Sequence, residues 1–295
     1  MQWGDRIPGG YTVVEVMMFL AVSGALFVIA MGFISGRQNQ AYFTSSLREF
    51  QQQIEDLIND VTTGYYPTGS FTCQYDPSPG NPESANGISF SSVAAEQGTR
   101  DQCTFIGKVI HFDLTNKKFT AISVAGGRLN TAKQAVKTFD EANPQPLGAE
   151  FGNSSPTGMT ETFSLKGGLE FTAIYATTPF ASAPAAFGIF TNFGEETPGN
   201  TPGTLAASIA SIPSSSSTDS VGNTGSKIVS MGTPANIVTR NIAVIICLNQ
   251  GAGSGKKAAL IIGAKNRGLF PELAIANADA KVSEVGISGV TQCPA

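Results

Sequence analysis

Few side chains in this sequence could do catalytic or metal chemistry. It has one histidine, His111, among its 295 residues. That number limits any reaction that needs several imidazoles, including most zinc sites and histidine-containing triads. The formal net charge of -4 gives no electrostatic footprint for nucleic acid. The sequence therefore predicts neither a metal centre nor a nucleic-acid partner.

The four cysteines are widely spaced, and no two of them form a C-x-x-C motif. An even number of such cysteines is typical of an oxidising compartment. The simplest pairing is Cys73 with Cys103 and Cys247 with Cys293, although four cysteines allow three pairings. Free buried thiols are the alternative, above all for Cys247, which lies in an apolar run.

A glycine-rich segment from Gly251 to Lys257 follows a strand-like run and resembles a phosphate loop. The Walker pattern requires glycine where this chain has Gln250, and serine or threonine at the position of Lys257. The residues after it read as a strand rather than a helix. The segment therefore predicts a hairpin turn without nucleotide.

Other polar residues are better explained as structural. His111 lies in a strand-like apolar run, which favours a satisfied buried side chain. Asp279 and Glu284 could join backbone oxygens around a cation, but two carboxylates favour solvated surface charges. The serines at 214–217 form a tract with no base beside it, so none is predicted as a nucleophile. The sequence predicts no cofactor and no enzymatic activity.

The strongest signal is a run of nineteen uncharged residues from Val16 to Ile34. As a helix it would be roughly 28 Å long at about 1.5 Å per residue, close to a hydrocarbon core of about 30 Å. Glu15 lies at its edge, where a carboxylate entering lipid is costly unless it is paired. The run is therefore predicted to be a transmembrane helix.

The stretch before this run, Gly9 to Glu15, resembles the cleavage motif of type IV prepilins and type II secretion pseudopilins. A glycine, Gly10, precedes the cut, an aromatic residue, Tyr11, follows it, and Glu15 is the fifth residue of the mature chain. The resemblance covers roughly residues 7 to 62. It implies cleavage between Gly10 and Tyr11, N-methylation of Tyr11, and pairing of Glu15 with the new amine during assembly.

The same resemblance implies partners and location. The partners would be other pilin or pseudopilin subunits, prepilin peptidase, the inner-membrane assembly platform and membrane lipid. The subunit would be held in the cell membrane by a single span with an extracytoplasmic head, and the size and irregular loops of the chain suggest a subunit of the minor type. It would belong to an extracellular filament after assembly.

An amphipathic segment follows the apolar run. Its apolar residues are spaced by 4, 3, 4, 3 and 4, as on one face of a helix. This stripe is predicted to pack on a sheet, a coiled-coil stalk being the alternative, and the helix is predicted to end near Gly64. The stripe consists of Phe43, Leu47, Phe50, Ile54, Leu57 and Val61.

Beyond residue 64 the sequence reads as short β-type runs between turn residues, so the predicted fold class is α+β with an antiparallel sheet. We expect one sheet with a long excursion at residues 197–226, where 22 of 30 residues are Ser, Thr, Gly, Pro or Asn. Strands are predicted at 88–94, 105–113, 118–124, 169–175, 186–193, 237–248 and 258–264.

The predicted organisation has six parts. They are a leader (1–10), a transmembrane helix half (11–35), an amphipathic helix half (36–63), a β-rich head (64–196), a flexible low-complexity loop or linker (197–226) and a C-terminal β-hairpin region of the head (227–295). A membrane-anchored or secreted β-rich adhesin with an ordinary signal sequence remains the alternative function. An extracytoplasmic enzyme is disfavoured by the single histidine.

Overall fold

The computed structural model describes fifteen stretches of the chain, and gives only the backbone at 33–37, 72–75, 88–91, 149 and 280–281. Two units are distinguished, residues 1–45 and 46–295. The described stretches are 12–64, 72–75, 88–91, 103–128, 134–139, 141–151, 159–177, 185–191, 207–212, 219–231, 242–251, 256–263, 269–275, 278–285 and 292–294.

One long helix, α1, runs from Val13 to Thr63 and is shared by both units. It ends where Gly64 takes a left-handed conformation, with φ of 69°. Glycine reaches this conformation without steric cost, which is why helices so often end at it. The end of α1 therefore follows from the residue that the sequence places there.

The second unit is α+β, as predicted from the sequence, and its strand pairs are antiparallel. Twelve strands and two further α-helices are described after α1. The strands are β1 (Thr72–Tyr75), β2 (Ile88–Ser91), β3 (Cys103–Asp113), β4 (Lys118–Gly127), β5 (Gln145–Pro146), β6 (Thr160–Ser164), β7 (Leu169–Ala176), β8 (Ala186–Thr191), β9 (Ala207–Ser211), β10 (Val244–Gln250), β11 (Lys257–Ile262) and β12 (Glu272–Ala274). The helices are α2 (Val221–Ser230) and α3 (Ala278–Val285), with a 3-10 turn at Ala149–Phe151.

The strands form three sheets, so the expectation of a single sheet is wrong. A six-stranded sheet has the order β5-β4-β3-β8-β9 with β6 also paired to β4; a four-stranded sheet has the order β12-β11-β10-β7; β1 and β2 form a separate pair. Along the described strands the chain changes between the two larger sheets three times, and the first change is between β6 and β7. Gly167 and Gly168 lie there with φ of 63° and 73°, a conformation that glycine allows and that redirects the chain within four residues.

The prediction of a flexible linker at residues 197–226 is wrong for part of that range. Residues 207–212 are buried and include β9, and α2 begins at Val221. Alanine and serine are small enough to fit a buried edge strand, and Ser220 caps α2 by accepting a hydrogen bond from Asn223 N. Because the stretch is rich in Ser, Thr, Gly, Pro and Asn, its composition predicted neither the strand nor the helix. Residues 197–206 and 213–218 lie outside the described part of the chain.

The C-terminal region is also more than a hairpin. β10 and β11 do pair as the predicted hairpin, from Val244 with Ile262 to Asn249 with Lys257. β10 pairs on its other side with β7, which comes from the region assigned to the main head. α3 and β12 are added after the hairpin, so residues 227–295 do not form a separate part.

The central strands of the six-stranded sheet, β3 and β4, are buried on both faces over most of their length. On one face Phe112 lies edge-on to Phe171, with ring centroids 5.3 Å apart, and stacks on Phe187 at 5.7 Å. On the other face Val109 and Ile122 share a core with Ile228 and Met231, which belong to α2 or directly follow it. A further core on the four-stranded sheet includes Val282 of α3.

Candidate functional site

The described part of the chain begins at Thr12, and Glu15 lies in the first turn of α1. Glu15 N donates a hydrogen bond to Thr12 Oγ1 at 3.3 Å, and Thr12 N donates to Glu15 Oε2 at 3.4 Å. This reciprocal pair is a capping box, which satisfies two amides at the helix start. Glu15 was predicted from the sequence and Thr12 was not, although the pattern Thr-x-x-Glu before an apolar run indicates it. Gly10 and Tyr11 lie outside the described residues.

The first part of α1 is apolar and exposed. From Val13 to Gly32 it is long and apolar enough to cross a membrane, and none of that span is buried. Phe19 is 73% exposed and Val28 70%. Large apolar side chains are rarely left in contact with water over such an area, and this surface is suited to lipid or to other helices.

The amphipathic stripe of α1 is buried as the spacing of its residues predicts. Within the second unit, the Phe50 ring lies edge-on to Phe119 at 5.4 Å and to Phe171 at 5.7 Å between centroids. Phe119 belongs to the six-stranded sheet and Phe171 to the four-stranded one, so a single ring contacts both. The buried set is Phe43, Leu47, Phe50, Ile54, Leu57 and Val61.

Polar contacts flank the stripe within the second unit. The Lys108 ammonium is 2.6 Å from Asp60 Oδ2, and Lys108 is only 1% exposed. Lys166 forms an ion pair with Glu49 at the surface. Gln51 Nε2 donates to the carbonyl of Pro271 at 3.2 Å. These contacts fix how residues 46–63 of the helix lie on the sheets, and none of them was predicted from the sequence.

The C-terminus is held by the predicted disulfide between Cys247 and Cys293, whose Cα atoms are 5.5 Å apart. Cys293 N donates to Asp279 Oδ1 at 2.9 Å, and Lys257 Nζ donates to the Cys293 carbonyl at 2.9 Å. Asp279 is therefore a structural acceptor, and its interpretation as a solvated surface charge is wrong. Glu284, its companion in that interpretation, is exposed.

Cys103 is also disulfide-bonded. The side chain of Cys73 lies outside the described part of the chain, so the pairing of these two cysteines stays a prediction.

The glycine-rich segment closes a hairpin. Gln250 N donates to the Lys256 carbonyl at 3.1 Å, and Gly251 N donates to the Gly168 carbonyl at 2.9 Å. The chain then returns directly into β11 rather than into the helix that a phosphate loop requires. Residues 252–255 and the serines at 214–217 lie outside the described residues.

His111 is buried and hydrogen-bonded, as its position in the sequence predicts. Its Nδ1 is 2.9 Å from Thr224 Oγ1. Desolvation by burial lowers the pKa of His111, against the opposing effect of Asp113 and Asp219. The imidazole therefore favours its neutral form.

Within the described ranges, no three His, Cys, Asp or Glu side chains lie together where they could hold a metal ion. The most extensive exposed apolar surface of the described residues is the first part of α1, with the Glu15 carboxylate at its N-terminal edge. Compared with protein-family models, curated proteins and solved structures, the chain matches none.

Proposed function

We propose that this chain is a structural subunit, of the minor type, of a type IV pilus-like or type II secretion pseudopilus filament. One observation carries the proposal. One helix has an apolar span from Val13 to Gly32, none of it buried, with the Glu15 carboxylate in its first turn, and residues 46–63 of the same helix belong to a folded β-rich unit. Such a helix suits a subunit that waits in lipid and then packs against copies of itself.

The apolar span explains both stages of that life cycle. In the membrane its side chains would contact acyl chains, and in a filament they would contact equivalent helices of neighbouring subunits. Burial gains roughly 25 cal/mol for each Å² of apolar surface removed from water. Either environment therefore stabilises a surface that is unfavourable in water.

Glu15 supports the filament over a simple anchor. Cleavage between Gly10 and Tyr11 would create an α-amine close to its carboxylate. An ion pair between Glu15 and an amine of its own or a neighbouring chain would offset the burial of both groups. The capping contacts with Thr12, at 3.3 and 3.4 Å, are long and can be exchanged for that partner.

The disulfide between Cys247 and Cys293 supports an extracytoplasmic head. Such bonds persist in oxidising compartments and are rare in the cytosol. A head exported across the membrane and anchored by the apolar span of α1 accounts for both the disulfide and the exposed apolar helix.

The mature N-terminus is the decisive measurement. We expect mass spectrometry of the exported protein to find a chain that begins at Tyr11, with a methylated amine. A start beyond Ile34 would identify an ordinary secreted protein such as an adhesin and would refute the proposal.

Assembly can be tested with Glu15→Gln, which keeps the size of the side chain and removes its charge. A charged hydrogen bond is worth about 1.5–3 kcal/mol, so incorporation should fall roughly 10- to 150-fold while membrane insertion is unchanged. Glu284→Gln, at an exposed position of α3, is the matched control. A photo-crosslinker at Phe27 reports contact between copies. Equal crosslinking in both variants would contradict the role given to Glu15.

A further inference from the structure

The buried hydrogen bond between His111 and Thr224 joins two elements far apart in the chain. His111, on β3, is 2% exposed, and Thr224, on α2, is fully buried. Side chains alternate along a strand, so His111 shares a sheet face with Val109, and Lys108 lies on the opposite face. Val109 packs in the same core as Ile228 of α2. His111 is therefore a polar group under a helix that covers an apolar surface.

α2 is a short cover with few contacts. Thr224, Gly225 and Ile228 are its buried residues, and a side chain at Gly225 would overlap the ring of Phe151. Ser220 caps its start. A helix of ten residues is marginal alone in water and depends on such packing. A small change in the free energy with which α2 packs on the sheet therefore changes the fraction of molecules in which α2 is open.

The surroundings of His111 do not supply a full counter-charge. Asp113 lies two residues along β3. Asp219, just before α2, forms an ion pair with Lys227 in its last turn, so the effects of these two on His111 oppose each other. The strand neighbours in register with His111, Thr120 on β4 and Ala186 on β8, are uncharged.

Within the described ranges, the elements packed against α2 add no buried charge. β5 contributes Gln145 and Pro146, and Glu150 of the 3-10 turn is exposed. A protonated imidazole would therefore be buried with little compensation.

We propose that α2 is a pH-dependent cover over one face of the six-stranded sheet, seated while His111 is neutral and released when His111 is protonated. Release exposes Ile228, Met231 and the apolar sheet residues beneath them. The device does not depend on the filament proposal, because it uses only contacts inside the second unit.

The direction of the pH effect follows from linkage. Burial lowers the pKa of His111 in the seated form below the value of about 6.5 for an exposed histidine. Well above pH about 6.5, His111 is neutral in both the seated and the open form, so α2 is then most stably packed on the sheet. As the pH falls below that value, the open form binds a proton first, and the opening constant rises by up to about tenfold per pH unit. The gain ends at the lowered pKa of the seated form.

The carboxylate of Asp113 does not titrate in the same pH range as His111. Hydrogen bonds from Asn116 lower the pKa of Asp113 below its ordinary value. It therefore stays charged from pH 7.5 to 5.5, the range over which His111 is titrated.

The experiment uses the full chain in detergent micelles. Because His111 is the one histidine, labelling histidine with ¹³C gives a single imidazole signal whose titration midpoint belongs to it. We expect a midpoint below 6.5. Amide hydrogen exchange of residues 219–231, corrected for intrinsic rates, should show an opening constant that rises up to about tenfold from pH 7.5 to 5.5.

Two variants separate titration from packing. His111→Gln cannot titrate and should make the opening of α2 independent of pH in this range. Thr191→Val is the matched control, because it removes a hydrogen bond to the Ile106 carbonyl in the same sheet and leaves His111 intact. It should retain the wild-type pH dependence of α2.

A midpoint at or above 6.5, or the same pH dependence in His111→Gln as in the wild type, would overturn the proposal. If His111→Gln does not fold, the wild-type midpoint together with the wild-type exchange of α2 decides the question.

Discussion

The ion pair between Lys108 and Asp60 gives a sharp test of how α1 is held on the head. The two charged atoms are 2.6 Å apart, yet their environments differ: the Lys108 side chain is 2% exposed and the Asp60 side chain 30%. Removing the partner of a buried charge leaves that charge uncompensated, whereas removing the partner of a hydrated charge does not. We therefore expect a strong asymmetry between the two halves of the pair.

Asp60→Asn removes the carboxylate and leaves the buried ammonium. Breaking a buried pair in this way costs about 3–5 kcal/mol, and the amide oxygen that remains can still accept a hydrogen bond, which favours the lower end. A loss of about 3 kcal/mol would lower the folding equilibrium constant roughly 150-fold. Lys108→Met leaves Asp60 able to contact water and should cost about 1 kcal/mol or less.

Urea unfolding of the full chain in detergent, followed by the near-UV circular dichroism of the aromatic core, measures these free energies. Glu49→Gln is the matched control, because Glu49 also lies on α1 and pairs with a lysine, but the two side chains are 42% and 68% exposed. It should cost about 1 kcal/mol or less. The double variant Asp60→Asn/Lys108→Met should recover most of the loss of Asp60→Asn. The reasoning would be refuted if Asp60→Asn cost no more than Glu49→Gln.

Two further predictions concern stability. Phe50→Ala leaves a cavity between the two large sheets and should lower the free energy of unfolding by about 3–5 kcal/mol. Phe270→Ala, at a residue 75% exposed, is the control and should change the free energy of unfolding by no more than about 0.5 kcal/mol. Equal losses for the two variants in urea titrations would contradict the packing described. Replacing Cys247 and Cys293 together by alanine opens a link across a sequence separation of 46. The chain-entropy model gives a loss of about 4 kcal/mol, and limited proteolysis should then release the C-terminus, whereas an unchanged cleavage pattern would show that Asp279 and Lys257 suffice to hold it.

Periodicity predicted the long helix well. The residues from Phe43 to Val61 repeat at helical spacing, and those predicted to be apolar contacts are buried. β3, β4, β7, β8 and β11 were also predicted within a few residues, because each is an apolar run between turn residues, whereas β10 was predicted from residue 237 and begins at Val244. Strong local patterns of this kind predict an element even when the element that packs against it is unknown.

The specific pairs could not be predicted in the same way. Lys108 and Asp60 are 48 residues apart, and His111 and Thr224 are 113 apart. A pattern within one segment does not say which distant side chain meets a buried polar group, because that depends on sheet order and on which element covers each face. Residue types indicated that the polar groups in β3 need partners, and only the fold identifies them.

β3 nevertheless contained a signal for the element that was missed. Lys108 and His111 differ by an odd number of positions, so they must face opposite sides of the sheet. Apolar residues accompany each of them, Ile110 on one side and Val109 on the other, and both are fully buried. A strand that is apolar on both faces needs a cover on both, and α1 can supply only one. The second had to come from elsewhere in the chain, and the Ser-, Thr- and Gly-rich stretch supplied it as α2, because small residues let a short helix lie close to the sheet.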